Sequence, residues 1–253
     1  MNTRVRALLD NELNDLNQAV LTLGSMVDKA IEDAAEALMN NNIPLAEQVI
    51  AGDADINRLR FDIEEMAYVI LSTQQPLARD LRTVIAAIHF AIELERIGDH
   101  AAGIARIAMR MEGIPWQEAI GPVAALTDPA ADEQLEDAAG DEERVLHLKL
   151  SRIPKMTKRA RDMLRQAIEA HIERNVDKAN AIVKRDRKLD SQYRKLFAEA
   201  MAELHVQQLA ELPTYLLWIA HNLERIGDRI TNLAERVIFM VTGQYTEVLE
   251  DYE

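Results

Sequence analysis

The hexapeptide Leu-Glu-Arg-Ile-Gly-Asp stands twice in this chain of 253 residues, at Leu94–Asp99 and again at Leu223–Asp228. A verbatim six-residue repeat marks an internal duplication, so the chain has to fold as two copies of one unit. In each copy the Glu and the Asp are four residues apart and share one helix face, where like charges repel. The Gly between them costs about 1 kcal/mol relative to Ala in a helix interior. A pattern that accepts both penalties twice points to a compensating gain. A cation held by the carboxylates supplies one, and the Gly lets a neighbouring helix come close.

The remaining sequence arranges itself around those two segments. Apolar residues recur at helical spacing from Leu8 to about Asn41, and Asn40-Asn41-Asn42 with Pro44 marks a stop and a restart. A second helix is expected over Leu45–Ser72. After Pro76 a third runs over Ala78–Arg110 and carries the first hexapeptide. Between Gly113 and Gly140 the periodicity dissolves into acidic residues broken by Pro115, Pro122 and Pro129. It returns in a fourth helix over Val145–His171 and a fifth from the N-cap Asn175 to about Leu209. A sixth follows over Pro213–Thr242 and is stopped by Gly243. The halves also align at Met26 with Met156, Asp53 with Asp186, and Asn57 with Asp190. The expected fold is all-α, a tandem pair of antiparallel three-helix bundles over residues 1–112 and 145–253, joined by an acidic linker, 113–144. One continuous six-helix bundle is the alternative.

Composition narrows the function. Apolar residues make up 48% of the chain but aromatics only 4%, as in a nearly all-helical protein, and there is no cysteine. Disulfides, thiolate metal sites and cysteine nucleophiles are thereby excluded. The net charge of −14 is concentrated in Glu112–Glu143, which has ten acidic residues and no Lys or Arg; the rest carries 33 acids against 29 bases. No basic field favours nucleic acid. The N-terminus has no signal-peptide pattern, and no segment reaches the roughly 18–20 apolar residues that cross a bilayer. The expectation is a soluble, cytoplasmic protein.

Two groups of residues could carry chemistry. On the sixth helix Glu224, Asp228, Asn232 and Glu235 share a face, and on the fifth Asp186 and Asp190 repeat the four-residue spacing. The matching positions in the first half are Glu95, Asp99, Asp53 and Asn57, but Gly103 and Arg106 replace Asn232 and Glu235. Oxygen ligands without thiolates suit Mg²⁺, Mn²⁺ or iron, with Zn²⁺ also admitted, and the second half is the better endowed. The plain alternative is a solvated acidic helix face. The other group is a basic stripe of Arg152, Lys155, Lys158, Arg159, Arg161, Arg165, Lys184, Arg185, Arg187 and Lys188. It reads as a wet helix face or as a receiver of acidic or phosphate groups. His100 and His221 fall at inequivalent positions, and they and Trp218, placed on the apolar face of the sixth helix, read as packing residues. No phosphate-cradling Gly loop and no serine triad is present. A carboxylate-bridged di-metal enzyme is the competing reading, but that class takes Glu-x-x-His pairs and none occurs here. A metal-free helical scaffold is the third.

Several blocks carry a resemblance that spans nearly the whole chain. They are Gln75-Pro-Leu-Ala-Arg-Asp-Leu-Arg82, Leu94-Glu-Arg-Ile-Gly-Asp-His-Ala101, and Leu223–Asp228 with Thr231-Asn-Leu-Ala-Glu235 and Thr242-Gly243. In these the chain resembles the PhoU family of phosphate-signalling regulators. The resemblance implies a cytoplasmic, non-catalytic regulator of two three-helix bundles that restrains phosphate uptake and represses phosphate-starvation genes. Its implied partners are the ATPase of the phosphate ABC transporter and a phosphate-sensing histidine kinase. It further implies a homodimer, and metal ions on the Glu-x-x-x-Asp faces in some members.

Overall fold

The computed structural model describes residues 3–114, 142–203 and 211–244. These form six helices: α1 (Thr3–Met39), α2 (Ile43–Gln74), α3 (Arg79–Arg110), α4 (Glu142–Glu173), α5 (Val176–Glu203) and α6 (Glu211–Thr242). Each corresponds to one of the periodic segments, with ends displaced by a few residues as terminal turns add on. The expected extension of α5 to Leu209 and most of the linker, Trp116 included, lie outside the described residues.

The turns repeat the duplication at atomic detail. At the end of α1, Asn41 takes a left-handed φ of +49°. Asn42 N–H then bonds back to Ala37 O at 2.8 Å, and Asn42 Oδ1 accepts from Leu45 N–H at 3.2 Å. At the end of α4, Arg174 takes φ +52°, Asn175 N–H bonds to Ala170 O at 2.9 Å, and Asn175 Oδ1 accepts from Lys178 N–H at 3.0 Å. In both turns one asparagine closes the first helix and caps the second, satisfying orphan groups of each. The 133-residue offset between these turns is the one that relates Asp53 to Asp186.

α3 and α6 are the inner helices. α3 packs on α1, α2 and α6, and α6 on α3, α4 and α5, while α1 and α4 also meet. The buried residues of α3 include Ala86, Ala87, Ala91, Ala101, Ala102, Ala105 and Ala108. Small side chains at these positions let three neighbours approach one helix. The resulting core is continuous from the first bundle into the second. At the outer seam Arg161 binds Asp28 at 2.9 Å and Glu32 at 2.5 Å, and Arg165 reaches Asp28 at 3.0 Å. Two members of the basic stripe are therefore structural.

Trp218 differs from expectation. The buried stripe of α6 runs through Leu216, Ile219, Ala220, Leu223 and Gly227. At 100° per residue Trp218 falls on the far side of that stripe, and it is 48% exposed.

Candidate metal centre

Each hexapeptide glycine marks the place where an inner helix meets the helix that carries the matching Asp. A Cβ added at Gly227 would lie 2.5 Å from Leu189 Cδ2 and 2.6 Å from Asp186 Oδ1. At Gly98 it would lie 3.1 Å from Ile56 Cδ1 and 3.8 Å from Asp53 Oδ1. The glycine thus leaves room for an aspartate of α5 or α2 to lie against the inner helix. The fit is closer in the second half.

There Asp186 and Asp190 of α5 and Asp228 of α6 bring carboxylate oxygens within 4.8 Å of one another. Asp186 Oδ2 accepts from Thr231 Oγ1 at 3.1 Å, while its Oδ1 is buried without a hydrogen-bond partner. Burial and then the charge of Asp190 push the Asp186 carboxyl up to about 7, with Asp228 and Glu224 adding and Thr231 opposing. Near neutral pH such a group is poised between its protonated and ionised forms, and a cation alongside favours the ionised one. Arg225, inside the hexapeptide, is the local counter-ion: its Nε lies 3.0 Å from Glu224 Oε2 and its Nη1 3.1 Å from Asp228 Oδ2. Three clustered aspartates, two of which have a buried oxygen without a hydrogen-bond partner, are a donor set for a hard or intermediate cation.

The first half is a weaker version. Burial and the charge of Asp99 raise the carboxyls of both Asp53 and Glu95 above the ordinary range, but Arg106 opposes this at Asp53 and Arg60 at Glu95. Asp99 itself is exposed. Asn57, where the second half has Asp190, donates Nδ2 to Asp53 O at 3.1 Å.

The other expected ligands have different surroundings. Asn232 Nδ2 donates to Glu93 Oε2 at 3.2 Å across the α3–α6 seam, where Arg229 also meets Glu93 at 3.5 Å. Glu235 is half-buried on the same helix and outside the group of three aspartates. His100 Nδ1 lies 3.1 Å from Asn222 Oδ1 on the seam, and His221 is exposed, 3.6 Å from Glu224 Oε2. Thr231 and Arg225 were not foreseen as parts of the site. The available signal for Arg225 was its place inside the repeated hexapeptide; Thr231 had none in the first half, where Ala102 stands at its position.

Comparison with known proteins places these features in a wider set. The family model described as PhoU domain matches residues 20–108 and 153–237, one match on each bundle. The chain is 30% identical over 249 residues to the phosphate-specific transport system accessory protein PhoU homolog of Clostridium acetobutylicum, covering 96% of this chain and 98% of that protein. It is 28% identical to the accessory protein PhoU of Escherichia coli, covering 96% and 89% respectively. The crystal structure of PhoU from Pseudomonas aeruginosa superimposes with a TM-score of 0.75 at 28% identity, over 93% of this chain and 99% of that one. The phosphate transport system regulatory protein PhoU of Streptococcus pneumoniae gives 0.75 at 27% identity, over 95% and 100%.

Proposed function

Because the chain belongs to the PhoU family, we propose that it is a negative regulator of phosphate uptake and phosphate-starvation signalling. The observation that carries this reading is the pair of PhoU-domain matches on this chain, one per bundle, together with relatives aligned over nearly the full length that bear names of phosphate-transport accessory and regulatory proteins. It is a non-enzymatic protein of regulatory type. Its long helices present surfaces to partners, which on this reading are the ATPase of the phosphate ABC transporter and a phosphate-sensing histidine kinase. The chain works in the cytoplasm as a homodimer. No helix among the described residues is long and apolar enough to cross a membrane, consistent with that role.

Asp186, Asp190 and Asp228, with Glu224 beside them, hold a metal ion of the iron, manganese, magnesium or zinc type. Glu95, Asp99 and Asp53 form a second, weaker site. The buried orphan oxygen of Asp186 and the all-oxygen donor set support this assignment. When bound, the ion supplies charge neutralisation between α5 and α6 and fixes their relative position.

Deleting the gene in its host and measuring phosphate uptake in phosphate-rich medium tests the regulatory reading. Uptake and starvation-gene expression should rise and return to normal on complementation. Unchanged uptake and expression would refute it. Elemental analysis of the purified protein, repeated on Asp186→Asn with Asp228→Asn, tests the metal. Loss of a bound ion in the double variant is the expected result, and a wild type that stays metal-free after incubation with each cation sinks the assignment.

A further inference from the structure

Seven residues of the basic stripe on α4 and α5 divide into two kinds. Arg161 and Arg165 turn to α1, where Asp28 and Glu32 match their charges. The other five, Lys155, Lys158, Arg159, Arg185 and Lys188, line a groove of about 440 Å³ between α4 and α5, with Asp162 as the one acid among its lining residues. Among the described residues, Lys158, Arg159, Arg185 and Lys188 form no ion pair. Arg159 Nε, moreover, is buried without a hydrogen-bond partner. Folded proteins rarely leave such a donor unpaired, and five cations around one concavity repel one another.

We propose that this groove binds a small ligand bearing a run of phosphoryl groups. Its volume lies in the range of small-molecule sites, about 300–1,000 Å³. Guanidinium forks bind phosphate oxygens in pairs, and lysine ammonium groups add point charges along a chain of phosphates. Four cations without an ion pair among the described residues, set along one groove, suit a polyanion better than a single orthophosphate. Among the described residues no aromatic side chain lines the groove, so recognition rests on the phosphates and not on stacking of a base. The groove lies on the α4 side of α5, whereas Asp186 and Asp190 face α6. The site goes beyond the regulatory and metal readings and stands or falls separately from them.

Calorimetric titration of the full chain at constant ionic strength, without divalent cations, tests the assignment. The probes are inorganic tripolyphosphate, ATP, orthophosphate and hexaglutamate. Tripolyphosphate should bind with one site per chain and orthophosphate far more weakly. Arg159→Gln with Lys188→Gln should weaken binding by about tenfold or more. Lys29→Gln with Arg58→Gln, a charge-matched change on exposed residues of the first bundle, should change it by less than about twofold. Lys188→Gln alone, at an exposed position, keeps the test valid if the double variant fails to fold. ATP binding at least as tightly as tripolyphosphate supports a nucleotide as the source, and preference for tripolyphosphate supports a free oligophosphate. Absence of binding by both, equal loss in the charge-matched control, or equally tight binding of hexaglutamate would overturn the proposal.

Discussion

His171 makes the stability of this fold depend on pH in a direction opposite to its clustered aspartates. The ring is 4% exposed, lies 4.4 Å from the Phe90 ring, and places Nε2 3.2 Å from Asn17 Oδ1. The amide oxygen can only accept, so Nε2 carries the proton, and Nδ1 is buried with no partner. Burial, helped by the charge of Arg174, lowers its pKa from 6.5 to about 4. The unfolded chain therefore takes up a proton near pH 6.5 that the folded chain refuses until about pH 4. Stability is intact above pH 6.5 and is lost as pH falls through that window. At about 1.36 kcal/mol per pKa unit, the loss by pH 5.0 is about 2 kcal/mol, and the full loss about 3.4 kcal/mol. His171→Gln removes the titration while keeping an amide opposite Asn17. Urea unfolding of both proteins, followed by circular dichroism at pH 7.5 and 5.0, isolates the effect because all other titrating groups are common. The stability advantage of wild type over variant should shrink by about 2 kcal/mol between the two pH values. A difference that stays constant to within about 0.5 kcal/mol would refute the reasoning.

Gly227→Ala should destabilise the protein by about 1–3 kcal/mol despite the better helix propensity of Ala, because its Cβ meets Leu189 and Asp186. Gly98→Ala, with its nearest contact at 3.1 Å, should cost clearly less; paired denaturation curves check both. Arg161→Met breaks the links to Asp28 and Glu32, and a loss of about 1–3 kcal/mol is expected in thermal or urea unfolding. Asp186→Asn acts in the opposite sense in chelator-treated protein. Its folded carboxyl is raised from 3.8 to about 7, so wild type loses stability as pH rises across that window. The variant should therefore be the more stable of the two at pH 8, and should lack the rise in Tm expected of the wild type on addition of a divalent cation.

The repeated hexapeptide and the helical spacing of apolar residues were enough to read six helices and their grouping, because both depend on local geometry. The asparagine at each sharp turn was legible for the same reason: a cap is a local device. Two kinds of information were not local. The spacing placed Glu224, Asp228, Asn232 and Glu235 on one helix face, but it could not tell which neighbour each side chain meets. α6 has three neighbours, and the face that begins at the α5 contact with Asp228 has turned toward α3 by Asn232. The basic stripe likewise read as one feature. Its separation into α1-facing arginines and groove-lining cations depends on how α4 is rotated between α1 and α5, and Trp218 was misplaced for want of the same rotation.

The seam between α3 and α6 explains why the two half-sites diverged. The helices run antiparallel, and the duplication makes their contacts come in related pairs. Glu93 meets Arg229 and Asn232. The equivalent positions on the other side are Asn222, His100 and Gly103, where Asn222 Oδ1 lies 3.1 Å from His100 Nδ1 and would lie 2.9 Å from a Cβ at Gly103. One side is thus closed by a charged pair and the other by a neutral one. Gly103 in place of Asn232 is a seam adjustment and says little about metal. Arg106 in place of Glu235 is the informative difference, since its charge acts on Asp53. In the first half Arg106 partly offsets the upward shift of the Asp53 carboxyl. Asp53 and Asp186 each keep a buried, unbonded Oδ1, but Asp186 is displaced to about 7, with Asp190, Asp228 and Glu224 all adding to burial. The duplicated motif keeps one layout in both halves, and the second gathers more negative charge around its buried aspartate.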